Sequence, residues 1–372
     1  MIDSFLTWSL YNFRDKDFIL AGKSFGALER NVLRPMFQIL ASKGISYDYR
    51  RGDNRSVRVG SNIYHCFGAN TERSQDFIQG LTAAGAFGDE AALMPQSFVE
   101  QMKARCSVDG AKIWLNCNPQ GPFHPLKVEY IDRAEQQRCL VLHFTMSDNL
   151  SLSDAVRERY ERMFTGVFYQ RFILGRWVLA EGVIYDMWTD DLLFSDDTQP
   201  EGLTSGHLQR FVAIDYGTTN PTAFLDVWDD GKTLWVVREY YWDSKKEGWQ
   251  KTDTQYADDL MEFIGPERDA QVILDPSAAS FAAELLSRWI VTIDADHEVL
   301  DGIRMVSAMM NLRMIRIHER CTNLRSEIAS YVWDEKAALR GEEKPVKASD
   351  HALDALRYLV KTHIGEWRLS AA

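Results

Sequence analysis

The sequence predicts an α/β protein of two domains, on three observations. Up to about residue 180, short apolar runs alternate with helical stretches, the pattern of a largely parallel sheet. From about residue 208, three apolar strands follow one another through short turns, before helices and a further buried strand. Between the halves, Asp190 to His207 reads D-D-L-L-F-S-D-D-T-Q-P-E-G-L-T-S-G-H, polar and turn-rich as linkers are. The expected division is 1–185, a linker at 186–207, and 208–372.

In the first half the predicted strands are Phe18–Ala21, Ile63–Phe67, Ala83–Phe87, Ile113–Cys117 and Leu140–Phe144. Amphipathic stretches at Phe98–Arg105 and Ala155–Phe164 read as helices. In the second half, strands at Phe211–Asp215, Thr222–Trp228 and Thr233–Trp242 are joined by G-T-T-N-P and D-D-G-K, short enough for antiparallel hairpins. A helix at Thr254–Phe263 precedes the strand Val272–Asp275, and helices follow at Ala278–Arg288, Ile303–Asn311 and Asp350–Lys361. Three meandering strands, a helix and a returning strand resemble the RNase H-like fold.

The 372 residues, 45% of them hydrophobic, suffice for two cores, and 12% aromatic content excludes a disordered chain. No apolar run approaches the roughly 18 residues of a membrane span. The start M-I-D-S-F-L-T-W has no basic region ahead of a cleavage site, so a cytoplasmic, non-exported protein is expected. Cys66, Cys106, Cys117, Cys139 and Cys321 are odd in number and widely spaced, which predicts buried reduced thiols rather than a disulfide or zinc framework. The 42 basic against 54 acidic residues leave a net charge of −12. A protein that binds nucleic acid alone and tightly usually shows a basic excess. Any contact with DNA is therefore expected to be transient, metal-assisted, or made inside an assembly.

Asp215 ends the apolar run F-V-A-I-D, and Asp275 ends V-I-L-D. If those strands lie parallel and adjacent, both carboxylates emerge at one sheet edge, where ligands commonly bind. In D-H-A-L-D-A-L-R-Y, Asp350, His351 and Asp354 share one helix face, while Leu353, Leu356 and Val360 form the apolar stripe. Packing that stripe on the sheet brings Asp354 towards the strand-end aspartates. Converging carboxylates repel unless cations neutralise them, and hard oxygen ligands suit a pair of Mg²⁺ or Mn²⁺ ions for phosphodiester hydrolysis. Taken singly, an Asp at a strand end is most often a turn or cap residue, and a lone His a hydrogen-bonded one. Glu239 could face the same site or solvent, and Asp258 and Asp259 read as a solvated face.

In the first half, Ala21-Gly22-Lys23-Ser24 follows a strand and opens a helix, but Asp17 stands where a phosphate-binding loop needs its first glycine. The segment reads as a strand-to-helix turn. The strand A-G-A-F-G-D-E has the pattern of a Walker B segment, with Asp89 near a Mg²⁺ water shell and Glu90 polarising the attacking water. Asn116 and Asn118, in I-W-L-N-C-N-P, end the next strand and either sense a γ-phosphate or form the turn before Pro119.

Seven stretches carry a resemblance to a known family. They are T-E-R-S-Q-D-F-I-Q-G-L-T-A-A-G-A-F-G-D-E-A-A-L-M-P, A-R-C-S-V-D-G-A-K-I-W-L-N-C-N-P-Q-G-P-F-H-P, F-Y-Q-R-F-I-L-G-R-W-V-L-A-E-G-V-I-Y-D, and the set A-I-D-Y-G-T-T-N-P-T, Q-K-T-D-T-Q-Y-A-D-D, I-L-D-P-S-A and D-H-A-L-D-A-L-R-Y. Together they are similar to the large subunit of tailed-phage and prophage terminases, of the PBSX-like branch, over nearly the whole chain.

The resemblance implies an N-terminal P-loop ASCE-type ATPase domain, here incomplete, followed by an RNase H-like nuclease that cuts concatemeric double-stranded DNA during packaging. It assigns Asp89 and Glu90 as the Walker B pair and Asn116 to Asn118 as the coupling segment. Asp215, Asp275 and Asp354 become the nuclease carboxylates on Mg²⁺ or Mn²⁺, with His351 an additional ligand. ATP, double-stranded DNA, a portal protein, a small terminase subunit and a ring of copies are the implied partners, in the bacterial host cytoplasm, with no membrane.

In the family the glycine-rich loop precedes a helix like I-D-S-F-L-T-W-S-L-Y-N-F, so this chain reads as beginning after it, and little ATPase activity is expected from the chain alone. Two other readings are a non-catalytic assembly module and an RNase H-like transposase or integrase. The intact carboxylate set argues against the first, and the Walker B-like segment with no basic appendage argues against the second.

Overall fold

The computed structural model describes residues 1–372 apart from 53, 200–202, 204–207, 219, 267–268 and 365–372. Part of the expected linker and Thr219 of the G-T-T-N-P turn lie outside the described residues. The chain divides into two compact units, Met1–Leu142 and His143–Ala372.

The first unit is a six-stranded mixed sheet. Its strands are β1 (Asp17–Gly22), β2 (Tyr47–Arg50), β3 (Ser56–Val59), β4 (Asn62–Gly68), β5 (Ala83–Asp89) and β6 (Lys112–Leu115), in the order β2-β3-β4-β1-β5-β6. β4, β1, β5 and β6 run parallel, and β2–β3–β4 form an antiparallel meander at one edge. Helices α1 (Ile2–Asn12), α2 (Arg34–Ser42) and α3 (Gln96–Arg105) cover the sheet. β5 is buried along its whole length, as a strand covered on both faces must be. Gly85 belongs there because a Cβ would lie 2.7 Å from the Trp8 ring of α1.

Leu140–Phe144, expected as a strand, is irregular, with Leu140, Leu142 and Phe144 exposed. Among the described residues no strand pairs with the segment. Its apolar run alone cannot hold an extended conformation without a partner. Gly22 ends β1, and Ser24 accepts the Ala27 amide at 3.2 Å as the cap of the short helix that follows, so G-K-S is a strand-to-helix turn here.

The second unit is built on a seven-stranded sheet. Its strands are β7 (Leu193–Phe194), β8 (Gln209–Asp215), β9 (Thr222–Asp229), β10 (Leu234–Trp242), β11 (Gln271–Leu274), β12 (Thr292–Asp294) and β13 (Ile315–His318), in the order β12-β11-β8-β9-β10-β13-β7. β8, β9 and β10 are the predicted antiparallel meander, and β11 returns parallel beside β8. β7 lies within the polar segment read as a linker and pairs with Ile317 and His318.

The longer helices of this unit are α4 (Asp154–Met163), α5 (Asp253–Ile264), α6 (Ala279–Ser287), α7 (Val299–Asn311), α8 (Thr322–Ser330) and α9 (His351–His363). One core joins α7, α8 and α9 to the sheet and takes in Met163, Phe168, Ile173 and Tyr185 from the preceding segment. The other face is closed by α5 and α6. All five cysteines are free, but only Cys66 and Cys321 are buried, the others being half-buried. Among the described residues no helix is long and apolar enough to cross a membrane.

Candidate functional site

β8 and β11 are in register from Phe211 beside Gln271 to Ile214 beside Leu274. Asp215 and Asp275 are the next residues on the two strands, so one edge of the sheet carries both carboxylates. Asp275 closes a turn by accepting the Ser277 amide at 2.7 Å. α9 crosses this edge because Leu353, Leu356, Leu359 and Val360 are buried against the sheet and α7. At roughly 1.5–3 kcal/mol for each fully buried aliphatic side chain, that stripe fixes which face of α9 turns to the aspartates.

The facing side chains are His351, Asp354 and Tyr358, at helical spacings of three and four residues. His351 Nδ1 lies 2.8 Å from Asp215 Oδ2, and the Tyr358 hydroxyl lies 3.5 Å from Asp215 Oδ1. Tyr358 also stands near enough to Asp275 to lower its pKa, so one phenol faces both strand-end carboxylates. Asp354 Oδ1 accepts from Arg357 Nε at 3.1 Å and Nη2 at 2.9 Å, and Arg357 Nη1 donates to the His297 carbonyl at 2.9 Å. α9 has no side-chain cap of its own. Instead buried Glu327 of α8 accepts the Leu353 amide and the Tyr241 hydroxyl, each at 2.9 Å.

Burial raises the Asp215 carboxyl above the usual range against the hydrogen bond from His351, and the charges of Asp354 and Asp350 raise it further. Asp350 is raised by burial and by Asp354. Burial also lifts Asp275, but hydrogen bonds from Ser277 and Tyr358 outweigh it and hold that carboxyl low. Burial pushes Glu327 up to about 7. The repulsion expected to need divalent ions is thus partly relieved by the protein itself, through Arg357, His351 and Tyr358.

The donor set nevertheless suits a hard cation. Asp215 and Asp275 offer oxygens at one edge, and Asp350 Oδ2 is buried with no hydrogen-bond partner. Among the described residues no three His, Cys, Asp or Glu side chains already stand around one point at ligand spacing. A cation therefore finds fitting donors here and not a closed cage.

Other predicted acids have structural partners. Glu239 accepts the Asn323 amide at 2.7 Å and the Leu324 amide at 2.9 Å, capping α8. Asp259 pairs with Lys251 and Tyr240, and Asp258 with Arg288, so this is an ion-paired face and not a bare solvated one. Tyr358 was legible as the next same-face position after Asp354. Arg357 and Glu327 had no sequence signal beyond being charged.

In the first unit, β5 delivers Asp89 and Glu90 to the end of the sheet. Asn116, at the end of the adjacent strand β6, donates through Nδ2 to Asp89 Oδ1 at 2.8 Å and accepts the Glu90 amide through Oδ1 at 2.7 Å. Its carbonyl takes the Ala91 amide at 2.8 Å. Asn31 donates to the other Asp89 oxygen at 3.2 Å, a contact nothing in its sequence context announced. Glu90 has φ of +55°, a left-handed backbone that non-glycine residues adopt at a cost and that clusters at functional sites. Asn118, two residues on, is exposed.

No family model matches the sequence. The large terminase subunit of Escherichia phage T5 is 28% identical over 235 residues, 58% of this chain and 50% of that protein, so the match spans half the length of that relative. The large terminase from a thermophilic bacteriophage is 50% identical and superposes with a TM-score of 0.92, over 98% of this chain and 90% of that one. The same phage's protein in complex with ATP-γ-S is 48% identical, with a TM-score of 0.90 over the same shares. Identity at this level across nearly all of both chains, on the same fold, means that this chain belongs to the bacteriophage large terminase family.

Proposed function

We propose that the chain is the large subunit of a phage DNA-packaging terminase of the PBSX-like branch, and that its second unit is a divalent-metal-dependent endonuclease acting on concatemeric double-stranded DNA. The supporting observation is the pair of adjacent parallel strand ends that sets Asp215 beside Asp275 under the His351, Asp354 and Tyr358 face of α9. Asp215 and Asp275 would hold Mg²⁺ or Mn²⁺, with Asp354 completing the carboxylate set and His351 an additional ligand. The metal, when bound, supplies charge stabilisation at the phosphate and lowers the pKa of a bound water. The protein's own part is to aim the donors. His351 and Tyr358 fix the two oxygens of Asp215, and Arg357 orients Asp354 by its Oδ1.

In the first unit Asp89 and Glu90 form a nucleotide-hydrolysing pair, with Asn116 and Asn118 the segment that couples it to the rest of the chain. The large terminase of the thermophilic phage is known in complexes with ADP and with ATP-γ-S, which supports adenine-nucleotide binding here and removes the ground for expecting little ATP turnover. On this reading the first unit, Met1–Leu142, is the ATPase and the second, His143–Ala372, the nuclease, a division earlier in the chain than the polar segment 186–207. The partners are a portal protein, a small terminase subunit and further copies in a ring, in the host cytoplasm.

The test is cleavage of plasmid DNA with and without Mn²⁺. Asp215→Asn and Asp275→Asn should each abolish cutting with an unchanged circular dichroism spectrum. Mn²⁺-dependent cutting that persists in both variants would remove the nuclease assignment, and a wild-type chain that cuts nothing would favour the non-catalytic assembly module.

A further inference from the structure

The turn 295–298 joins β12 to α7, and three contacts pin it to α9. Arg357 Nη1 donates to the His297 carbonyl at 2.9 Å, the Asp296 amide donates to Thr362 Oγ1 at 2.9 Å, and Lys361 Nζ lies 3.9 Å from Asp296 Oδ2. The first contact is made by the same guanidinium that grips Asp354 through Nε and Nη2, so one buried planar group sets the His297 backbone against the carboxylate site. On the sheet side the Ala295 amide donates to the Leu274 carbonyl at 2.9 Å, which places Ala295 beside Asp275. Surface connections are ordinarily more mobile than the elements they join. This one is tied to the sheet and to the helix that complete the site.

His297 itself is exposed. Among the described histidines, His65, His124, His143, His318, His351 and His363 each have a ring nitrogen in a hydrogen bond, and His297 alone has none. Its ring is nonetheless close enough to the site for its charge to lower the Asp275 carboxyl. β12 lies beside β11 on the side away from β8, so the turn flanks Asp275 opposite Asp215, about one strand spacing, 4.8 Å, outward. A cation shared by Asp215 and Asp275 sits between their strands, and the next position outward meets the polyanion that such a cation holds. An imidazole N–H there can donate to a phosphate oxygen. Asp294, Asp296 and Glu298 are exposed on the same segment, with Lys361 beside Asp296, so this rim offers little net attraction. A phosphate contact here positions the strand more than it adds affinity. An exposed histidine in a turn is ordinarily a solvated residue. What separates this one is a backbone fixed to the residues that build the site.

We propose that His297 is a substrate-binding residue of the nuclease site, donating from its ring to a phosphate oxygen of the DNA strand held at Asp215 and Asp275. The proposal rests on the nuclease reading, and two measurements on the full chain keep the two apart.

With Mn²⁺ and plasmid DNA, His297→Ala should lower kcat/KM by about tenfold or more, the weight of one hydrogen bond to a charged group. The Mn²⁺ concentration for half-maximal rate should not change, and His297→Gln, which keeps an N–H donor, should recover part of the loss. The side chain is exposed, so neither change disturbs the fold. Without metal, in EDTA, the chain carrying ¹³C-labelled histidine is titrated with a short DNA duplex. The ring signal of His297, identified as the one missing from His297→Gln, should shift. An unchanged kcat/KM in His297→Ala would overturn the proposal, and so would a ring signal that stays in place. A higher Mn²⁺ requirement in His297→Ala would overturn it too, by making the residue a metal ligand. A wild-type chain that cuts nothing removes the nuclease reading, and the ring signal then decides by itself whether DNA meets His297.

Discussion

His351 holds Asp215: its Nδ1 lies 2.8 Å from the carboxylate Oδ2, and both side chains are largely buried. Burial pulls the imidazole pKa down, but the hydrogen bond and charge of Asp215 win, and His351 stays protonated above its ordinary range. With Asp215 itself raised by burial, the two groups titrate as a coupled pair. A folded pKa above the unfolded value gives stability that is full below about 6.5, the unfolded histidine value, and that is lost as pH rises through the folded value. His351→Gln should therefore lower the unfolding temperature most near about pH 6, with the gap to wild type closing as pH rises through the folded histidine value. A gap that stays constant with pH would show that His351 stabilises by packing alone.

Glu327 carries the same sign with a cleaner assignment. It is buried, it accepts the Leu353 amide at the start of α9, and burial raises its carboxyl to about 7. Stability tied to its proton is present below about 4.5 and is lost as pH rises to about 7, at most roughly 3 kcal/mol by linkage. Glu327→Gln keeps an acceptor for the Leu353 amide without the charge. The variant should be more stable than wild type at about pH 8 and nearly equal to it at about pH 4.5 in urea titrations. Glu327→Ala, which leaves the α9 amide unsatisfied, should lose stability at both.

How much of this was readable beforehand follows from what each feature depends on. The strand ends at Asp215 and Asp275 were legible because apolar runs that stop at an acid mark both the strand and its exit. The α9 face was legible because His351, Asp354 and the Leu353–Leu356–Val360 stripe obey one helical period. Leu140–Phe144 misled because an apolar run reports which side chains prefer burial and says nothing about whether a neighbouring strand is there to pair. β12 and β13 were missed because T-I-D and I-R-I-H lack the continuous apolar run that marked β11, a strand no longer than β13. Arg357, Glu327 and Asn31 act across distances of fold, not of sequence, and the spacing of charges could not assign their partners.

Arg357 tests how the acidic cluster is kept stable without a bound cation. It is almost wholly buried, donates twice to Asp354 Oδ1, and packs so closely on α7 that a Cβ on Gly302 would lie 2.4 Å from its Cγ. Removing one member of a buried pair costs roughly 3–5 kcal/mol, whereas removing both can be nearly neutral. Arg357→Met should unfold at clearly lower urea than wild type, and Asp354→Asn in the same chain should recover part of the loss. Gly302→Ala should destabilise through the same arginine, and no further effect is expected when it is added to Arg357→Met. Additive losses would mean that the Arg357–Asp354 contact is not what these changes disturb.

Asn116 grips Asp89 by its side chain and the Glu90 amide by the same side chain's oxygen, so it fixes where the Glu90 carboxylate is presented. The left-handed backbone of Glu90 stores strain of about 1–3 kcal/mol, which glycine would relieve. Glu90→Gly should therefore hold or raise the unfolding temperature while abolishing phosphate release from ATP, which separates the residue's chemistry from its structural cost. Asn116→Asp sets a second carboxylate against Asp89 and should lower turnover by about 10²-fold or more, since a misplaced general base forfeits most of its effect. Lys23 follows β1 in a turn whose Ser24 hydroxyl already caps the next helix, so Lys23→Ala should leave turnover near the wild-type level. Phosphate release measured for all three variants under the same conditions decides the matter. Turnover lost on Lys23→Ala but kept on Glu90→Gly would transfer the nucleotide site from the end of β5 to the end of β1.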